Sequence, residues 1–210
     1  MENKDVYAEL SSIRNIMERS TRFISLSGLS GVMAGLYALI GAGLAYKLLY
    51  ADAETSLYRT DTYNHDLNFK LFIIALVVLV LSISTGIWLT IRKAQRKGQS
   101  IWNQSSRALL KSGLLPLLIG GCFVLILLYQ GHYGIIAPGC LIFYGLALVA
   151  ASQYTFGDVK WLGLSEIALG LLATFLPGYG LAFWTLGFGV LHILYGTIMH
   201  FKYDRENSSH

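Results

Sequence analysis

Uncharged apolar stretches divide the chain into segments of membrane-spanning length. Asp, Glu, Lys and Arg are absent from residues 23–46, 71–91, 112–157 and 167–201. A helix that crosses a bilayer needs about 20 mostly apolar residues. The first two stretches therefore predict one helix each, the third is long enough for two, and the fourth completes a pair with a helix that begins near Trp161.

This pattern predicts an all-α, polytopic membrane helix bundle with six transmembrane helices arranged as three hairpins. The helices are expected at about 23–49, 70–91, 109–129 and 134–153, followed by one from 161 and one ending near 200. Three regions follow from this: an amphipathic segment at 1–22, a transmembrane domain at 23–200, and a polar tail at 201–210.

The segment before the first apolar stretch carries its own helical pattern. Val6, Leu10, Ile13 and Met17 recur at the spacing of one helix face. They predict a short amphipathic helix that lies on the membrane surface or against the loops. A helical extension of the first spanning segment is the open alternative.

Small residues repeat along the first predicted transmembrane helix. Ser27, Gly31 and Gly35 are four residues apart and so share one face. Small side chains allow a second helix to approach closely in a membrane. We therefore expect this face to pack against another helix or a second subunit.

The helix also echoes a later one. Gly28-Leu29-Ser30 matches Gly163-Leu164-Ser165, and Gly35 matches Gly170 in the same register. A series of three similar hairpins is the simplest account, and chance is its rival because glycine and leucine are common in membrane helices.

Positive charge sets the expected orientation. Between the second and third helices lies a basic loop without acidic residues, formed by Arg92, Lys93, Arg96, Lys97, Arg107 and Lys111. With both termini inside, the inner segments hold thirteen of the sixteen Lys and Arg residues. The outer segments hold only Lys47, Arg59 and Lys70. This asymmetry predicts a cytoplasmic N-terminus, C-terminus and basic loop.

The net charge of +4 is thus explained by topology, and nucleic acid is not expected as a partner. An anionic-lipid or nucleic-acid site is the sharper alternative for the basic loop. The expected partners are the lipid bilayer, a second copy of the chain, and a membrane or cytoplasmic protein.

A metal or cofactor is not expected. In the acidic segment 51–69, Asp61, His65 and Asp66 offer ligand chemistry, but a solvated loop explains them with fewer assumptions. The chain has no His-x-x-x-His, Cys-x-x-Cys, phosphate-binding loop or nucleophile elbow.

Two ionisable side chains fall deep within the last predicted hairpin. Glu166 and His192 lie at similar distances from the same end of two antiparallel helices. Because an unpaired ionisable group is costly there, we expect both to face the bundle interior. Glu166 would then meet His192, Tyr195 or a polar group such as Gln153. Alternatively, Glu166 reaches the interface and His192 bonds to a backbone carbonyl.

The last third of the chain carries a family resemblance. It reads YGLALVAAS, then LGLSEIALGLLATFLPGYGLAFWTLGFGVLHILYG. It resembles a group of uncharacterised bacterial integral membrane proteins, and its three-hairpin layout is distantly similar to the HdeD-like acid-resistance membrane protein family. The resemblance implies six helices in the bacterial inner membrane and no established chemistry. The basic loop departs from that layout.

Three classes of function remain. The leading hypothesis is a non-enzymatic structural, stress-related or partner-binding membrane protein. A small-molecule transporter or channel is the alternative, because such proteins place ionisable groups inside the membrane. A membrane enzyme is less favoured, because few polar residues converge.

Overall fold

The computed structural model describes residues 26–50, 65–96, 98 and 100–204, and every regular element within them is helical. The all-α class is therefore confirmed. The predicted amphipathic helix at 1–22, most of the acidic segment with Asp61, and residues 205–210 lie outside the described residues.

Six long helical segments make up the described chain. They are α1 (Gly28–Tyr50), α2 (His65–Arg96), α3 (Gln104–Gln130), α4 (Ile136–Ala151), α5 (Asp158–Phe175) and α6 (Gly180–Asp204). Short 3₁₀ turns at Tyr133–Ile135 and Ser152–Tyr154 extend α4 at both ends. α6 includes two π-helical stretches, Thr185–Leu191 and His200–Asp204.

The start and the end of α3 have clear local causes. The Asn103 side chain accepts a hydrogen bond from the Ser106 backbone N–H at 2.8 Å, and the Ser106 hydroxyl contacts the Asn103 backbone N–H at 3.0 Å. This reciprocal capping box satisfies two N–H groups that a helix start leaves unpaired. At the other end, Gly131 adopts φ 76°, which closes the helix in the left-handed conformation that glycine tolerates best.

The predicted basic loop is largely helical, so the prediction of a loop conformation for these residues is wrong. Arg92, Lys93 and Arg96 belong to the last turns of α2, and Arg107 and Lys111 belong to α3. Lys97 lies outside the described residues. A helix can continue through charged residues that lie in water. The length of the apolar stretch therefore predicts the part of the helix within the membrane and not the whole helix. The helical end of α6 at Asp204 likewise replaces a tail predicted from residue 201.

The helices pack in a consistent order across the bundle. α1 packs between α2 and α6, and α4 packs between α3 and α5. The first part of α6 also contacts α4 and α5, which joins the two groups. α2 and α3 therefore lie towards the outside, although they follow one another in the sequence.

Three glycines meet a neighbouring helix in the same way. Each faces a backbone carbonyl of the neighbouring helix and an isoleucine four residues after that carbonyl. A Cβ added to the glycine would come within 2.6–2.7 Å of the isoleucine Cγ1. The contacts are Gly35 with Gly189 and Ile193, Gly145 with Gly163 and Ile167, and Gly170 with Pro138 and Ile142. The crossings of α1 with α6 and of α4 with α5 are thus built alike.

The predicted small-residue face on α1 packs as expected. Ser27 is buried, and an added Cβ on Gly31 would lie 3.1 Å from the Cα of Gly196. Gly35 is buried against Gly189. The partner of this face is α6 of the same chain.

Five of the described helical segments are long and apolar enough to cross a membrane by length and composition. They are Gly28–Leu49, Asp66–Arg96, Gln104–Gln130, Tyr133–Tyr154 and Gly180–Asp204. The sixth predicted span, α5, is not among them. Its 18 residues include Asp158, Lys160 and Glu166, which lower its mean hydropathy.

Polar contacts gather at one end of the bundle, here named the charged end and formed by Lys93, Asp158, His200, Lys202 and Asp204. The Lys93 ammonium donates to the Leu26 carbonyl at 2.6 Å, and the Gly28 backbone N–H donates to Asp204 at 3.2 Å. The start of α1 and the ends of α2 and α6 are therefore tied together.

Candidate functional site

Three helices bring one polar side chain each to the same place inside the bundle. Glu166 comes from α5, His192 from α6 and Tyr144 from α4. Glu166 is 0% exposed and His192 is 5% exposed, although both lie in otherwise apolar helices. Burial of this kind is rare for an ionisable residue unless it is paired or functional.

His192 makes contacts through both ring nitrogens. Its Nε2 lies 2.7 Å from the Tyr144 hydroxyl. Its Nδ1 lies 3.1 Å from the Gly187 carbonyl oxygen and 3.3 Å from Oε1 of Glu166. The predicted proximity of Glu166 and His192 is thus found in the structure.

The partners of His192 define its tautomer. A carbonyl oxygen only accepts hydrogen bonds, so the Nδ1 that faces Gly187 carries a hydrogen. In the neutral ring the Nε2 is then an acceptor, and the Tyr144 hydroxyl donates to it. This arrangement satisfies both ring nitrogens without placing a charge in the interior.

Glu166 is in a different position. Neither of its carboxyl oxygens has a hydrogen-bond partner among the described residues, because the geometry towards His192 Nδ1 is poorly aligned. An added Cβ on Gly187 would clash with Oε2 of Glu166 and lie 2.5 Å from Cδ2 of Leu141, which is itself fully buried. The carboxyl group therefore fills a close-fitting space, and a larger residue at Gly187 would force Glu166 and Leu141 to move.

Aromatic rings cover one side of this group. The Tyr144 and Phe188 ring centroids are 5.0 Å apart, and the Phe188 and Trp184 centroids are 5.2 Å apart. Phe188 and Gly187 lie in the π-helical stretch of α6, which ends at Leu191, one residue before His192. Single π-helical turns inside α-helices occur often at functional sites.

Two of the residues proposed from the sequence do not join this group. Gln153 is exposed in the 3₁₀ turn after α4, so the prediction that it meets Glu166 is wrong. The side chain of α4 that reaches His192 is Tyr144. Tyr195 is partly buried one turn beyond His192. Tyr144 was missed because a tyrosine in an apolar stretch gives no sign of which helix it faces.

The charged end provides a second polar cluster. Asp158 accepts a 2.6 Å hydrogen bond from the Tyr203 hydroxyl and lies 3.1 Å from the Lys202 ammonium. Asp158 precedes the apolar part of α5. Partial burial acts to raise the pKa of its carboxyl, but the hydrogen bonds from Tyr203 and Lys202 outweigh it, so the pKa lies below its usual value.

Neither polar cluster has the composition of a metal centre. Within the described part of the chain, no three His, Cys, Asp or Glu side chains are grouped so that they could hold a metal ion.

The basic residues near the charged end make contacts of another kind: the Arg92 guanidinium lies 5.4 Å from the Trp88 ring centroid. Such pairs suit the boundary between apolar and polar surroundings.

Comparison of the chain with protein-family models, with curated proteins and with solved structures finds no match. The resemblance to HdeD-like membrane proteins therefore remains a prediction.

Proposed function

We propose that the chain is an integral membrane protein of a bacterial cytoplasmic membrane, with six transmembrane helices in three hairpins and both termini inside. Five helices of sufficient length and apolar character support this proposal. α5 is the sixth span: its 18 residues extend about 27 Å, close to the hydrocarbon thickness of about 30 Å. Its one mid-helix ionisable residue, Glu166, is enclosed by protein.

The orientation is supported by the charged end. The start of α1, the end of α2 and the end of α6 meet there, as six alternating spans require. Arg92, Arg96, Arg107 and Lys160 also belong to helix ends on this side, whereas Lys47 and Lys70 belong to the opposite one. The positive-inside rule then places the charged end in the cytoplasm.

Its role in this proposal is non-enzymatic: a structural or stress-related membrane protein that binds a protein partner at its cytoplasmic side. The observation that carries it is the enclosure of Glu166, which is 0% exposed and open to no substrate in this conformation. The basic residues around Arg96 remain exposed and available for a partner or a second copy.

Cysteine accessibility tests the topology. In a background with Cys122 and Cys140 changed to serine, single cysteines replace His132 and Ser100, which are both exposed in short connections. A membrane-impermeant maleimide added to intact cells should label His132→Cys and leave Ser100→Cys unlabelled until the membrane is opened. The opposite pattern would contradict the orientation.

Crosslinking in cells tests the role. A photo-crosslinking amino acid at Arg96 should form adducts with protein, and the same amino acid at Tyr129, 93% exposed at the opposite end, serves as the control. Lipid adducts alone at both positions would argue against a protein partner.

A small transporter is the second candidate, and one observation favours it. Buried carboxyl groups within membrane helices commonly mark ion pathways, and Glu166 has no hydrogen-bond partner for either oxygen among the described residues. If the chain transports protons or a proton-coupled solute, purified protein in vesicles should dissipate an imposed pH gradient. The variant Glu166→Gln should abolish this flux.

A further inference from the structure

The Glu166 carboxyl faces an unusual set of neighbours. The Gly187 carbonyl oxygen and the Tyr144 hydroxyl oxygen are both engaged by His192. Neither oxygen of Glu166 receives a hydrogen bond within the described structure. An ionised carboxylate in such surroundings would lose its hydration and have only the poorly aligned Nδ1–H of His192 beside it, 3.3 Å from Oε1, which costs more free energy than burying the neutral acid.

The hydrogens of the group can be counted. His192 Nδ1–H donates to Gly187, and the Tyr144 O–H donates to His192 Nε2, which uses one hydrogen on each side chain. If His192 were an imidazolium, its Nε2–H would point at the Tyr144 oxygen, and the tyrosine hydrogen would lose its acceptor. The observed contacts therefore favour a neutral histidine, and a neutral site then requires one hydrogen on Glu166.

The other helices packed around the group supply no compensating charge. Their titratable side chains near this level are Cys140 and Tyr144 on α4, His192 and Tyr195 on α6, and Tyr37 on α1. The Tyr37 hydroxyl is bonded to Thr85 of α2 at 3.2 Å. On α5 itself, Asp158 and Lys160 lie about two turns away, near the charged end. None of these neighbours places a permanent cation beside Glu166.

We propose that Glu166 is a binding site for one exchangeable proton, held as a carboxylic acid beside neutral His192 and Tyr144. Binding forms the O–H bond on the Glu166 carboxyl and leaves the site neutral. Release returns the proton to water, and a negative charge remains beside Gly187 with only the poorly aligned Nδ1–H of His192 near it. Release therefore weakens the packing of α5 on α6, which couples the proton to the helix arrangement.

The inference depends on contacts within the chain and holds for either function proposed above. It also explains why Gly187 has no side chain. A Cβ there would occupy the space of Oε2 of Glu166, so the glycine allows the acid to be enclosed completely.

Infrared difference spectroscopy of the full-length protein in lipid tests the proposal. A pH titration should show the carbonyl stretch of a protonated carboxylic acid that disappears as the pH rises and is missing from Glu166→Gln. Tyr144→Phe should change the pH dependence of the band, because the polar surroundings of the acid change. Asp158→Asn, at the charged end and about two turns from Glu166, should retain the band.

Thermal unfolding gives a second measurement. Glutamine has the shape of the protonated acid and cannot ionise, so Glu166→Gln should keep its melting temperature at alkaline pH while the unsubstituted protein loses stability. If Glu166→Gln fails to fold, labelling of the unsubstituted protein with a lipophilic carbodiimide replaces it, because this reagent attacks protonated carboxyl groups in apolar surroundings. Labelling mapped to Glu166 should then decrease as the pH rises.

The proposal is overturned if no carboxylic acid band belongs to Glu166 at any pH, or if Glu166 is never labelled by the carbodiimide. Either result would mean that the Glu166 carboxyl group does not hold the proton.

Discussion

The Lys93 ammonium lies 2.5 Å from Oδ1 of Asp204 and so joins the end of α2 to the end of α6. Both side chains are only 12% exposed, and both have further partners: Lys93 donates to the Leu26 carbonyl, and Asp204 contacts the His200 ring at 3.0 Å. A pair that is enclosed and bonded on both sides contributes more than a pair on an open surface.

Removing this pair should therefore weaken the bundle. We expect Lys93→Ala to lower the free energy of unfolding by about 2 kcal/mol, because Asp204 is left without its charged donor. Lys202→Ala is the matched control: Lys202 is 54% exposed in its pair with Asp158 and should contribute less than Lys93 does. Thermal unfolding in detergent compares the two, and equal effects would contradict the distinction.

The crossing of α1 and α6 predicts a difference between two glycines. A Cβ on Gly196 would lie 2.6 Å from the Val32 backbone nitrogen and 2.8 Å from the Gly28 carbonyl oxygen, so Gly196→Ala must separate two backbones. We expect a loss of about 1–3 kcal/mol. Gly43→Ala meets nothing within 4 Å and should be neutral or stabilising by up to about 1 kcal/mol. A stable Gly196→Ala protein with unchanged melting temperature would refute the close crossing.

The hydroxyl of Tyr144 should matter more than that of Tyr37. Tyr144→Phe leaves the buried Nε2 of His192 without a donor, and we expect a cost of about 1–3 kcal/mol. Tyr37→Phe removes a longer bond to Thr85 at 3.2 Å in a less enclosed place, and about 0.5–1.5 kcal/mol is expected. Melting temperatures of the two variants provide the comparison. A larger effect at Tyr37 would show that the His192 contact is not a strong bond.

Asp158 should make stability depend on acid pH. Its folded-state pKa lies below the usual value, with partial burial opposing and the bonds from Tyr203 and Lys202 producing the shift. Its stabilising contribution is therefore complete above the pKa of the unfolded chain and is lost as the pH falls through the lowered folded-state pKa. The melting temperatures of Asp158→Asn and the unsubstituted protein should differ at neutral pH and converge in strong acid. A constant difference across that range would exclude this linkage.

The sequence predicted the helices well and their ends poorly. The uncharged stretches predicted all six helical segments, because the length of an apolar stretch can be counted in the sequence. The end of α2 was placed at about residue 91 rather than Arg96, since charge reports where water begins and not where hydrogen bonding stops. The start of α3 could have been recognised from Asn103 and Ser106, whose spacing fits a capping box.

The site was predictable in part for a similar reason. The proximity of Glu166 and His192 was predictable, because both lie at about the same depth on antiparallel helices. Depth follows from residue counting. The third member, Tyr144, depends on how α4 is rotated about its axis, and that rotation is decided by packing at Gly145 and Gly163. The π-helical stretch at Thr185–Leu191 adds a local change of helical phase that apolar periodicity does not reveal.

The contact between α1 and α6 has a consequence for synthesis. Gly35 packs against Gly189, which the ribosome adds 154 residues later. At about 5–20 residues per second, roughly 8 to 30 s pass between the synthesis of Gly35 and that of Gly189. During that interval the small-residue face of α1 lacks the helix that covers it in the complete fold. The contact that buries this face of α1 can therefore form only after nearly the whole chain has been synthesised.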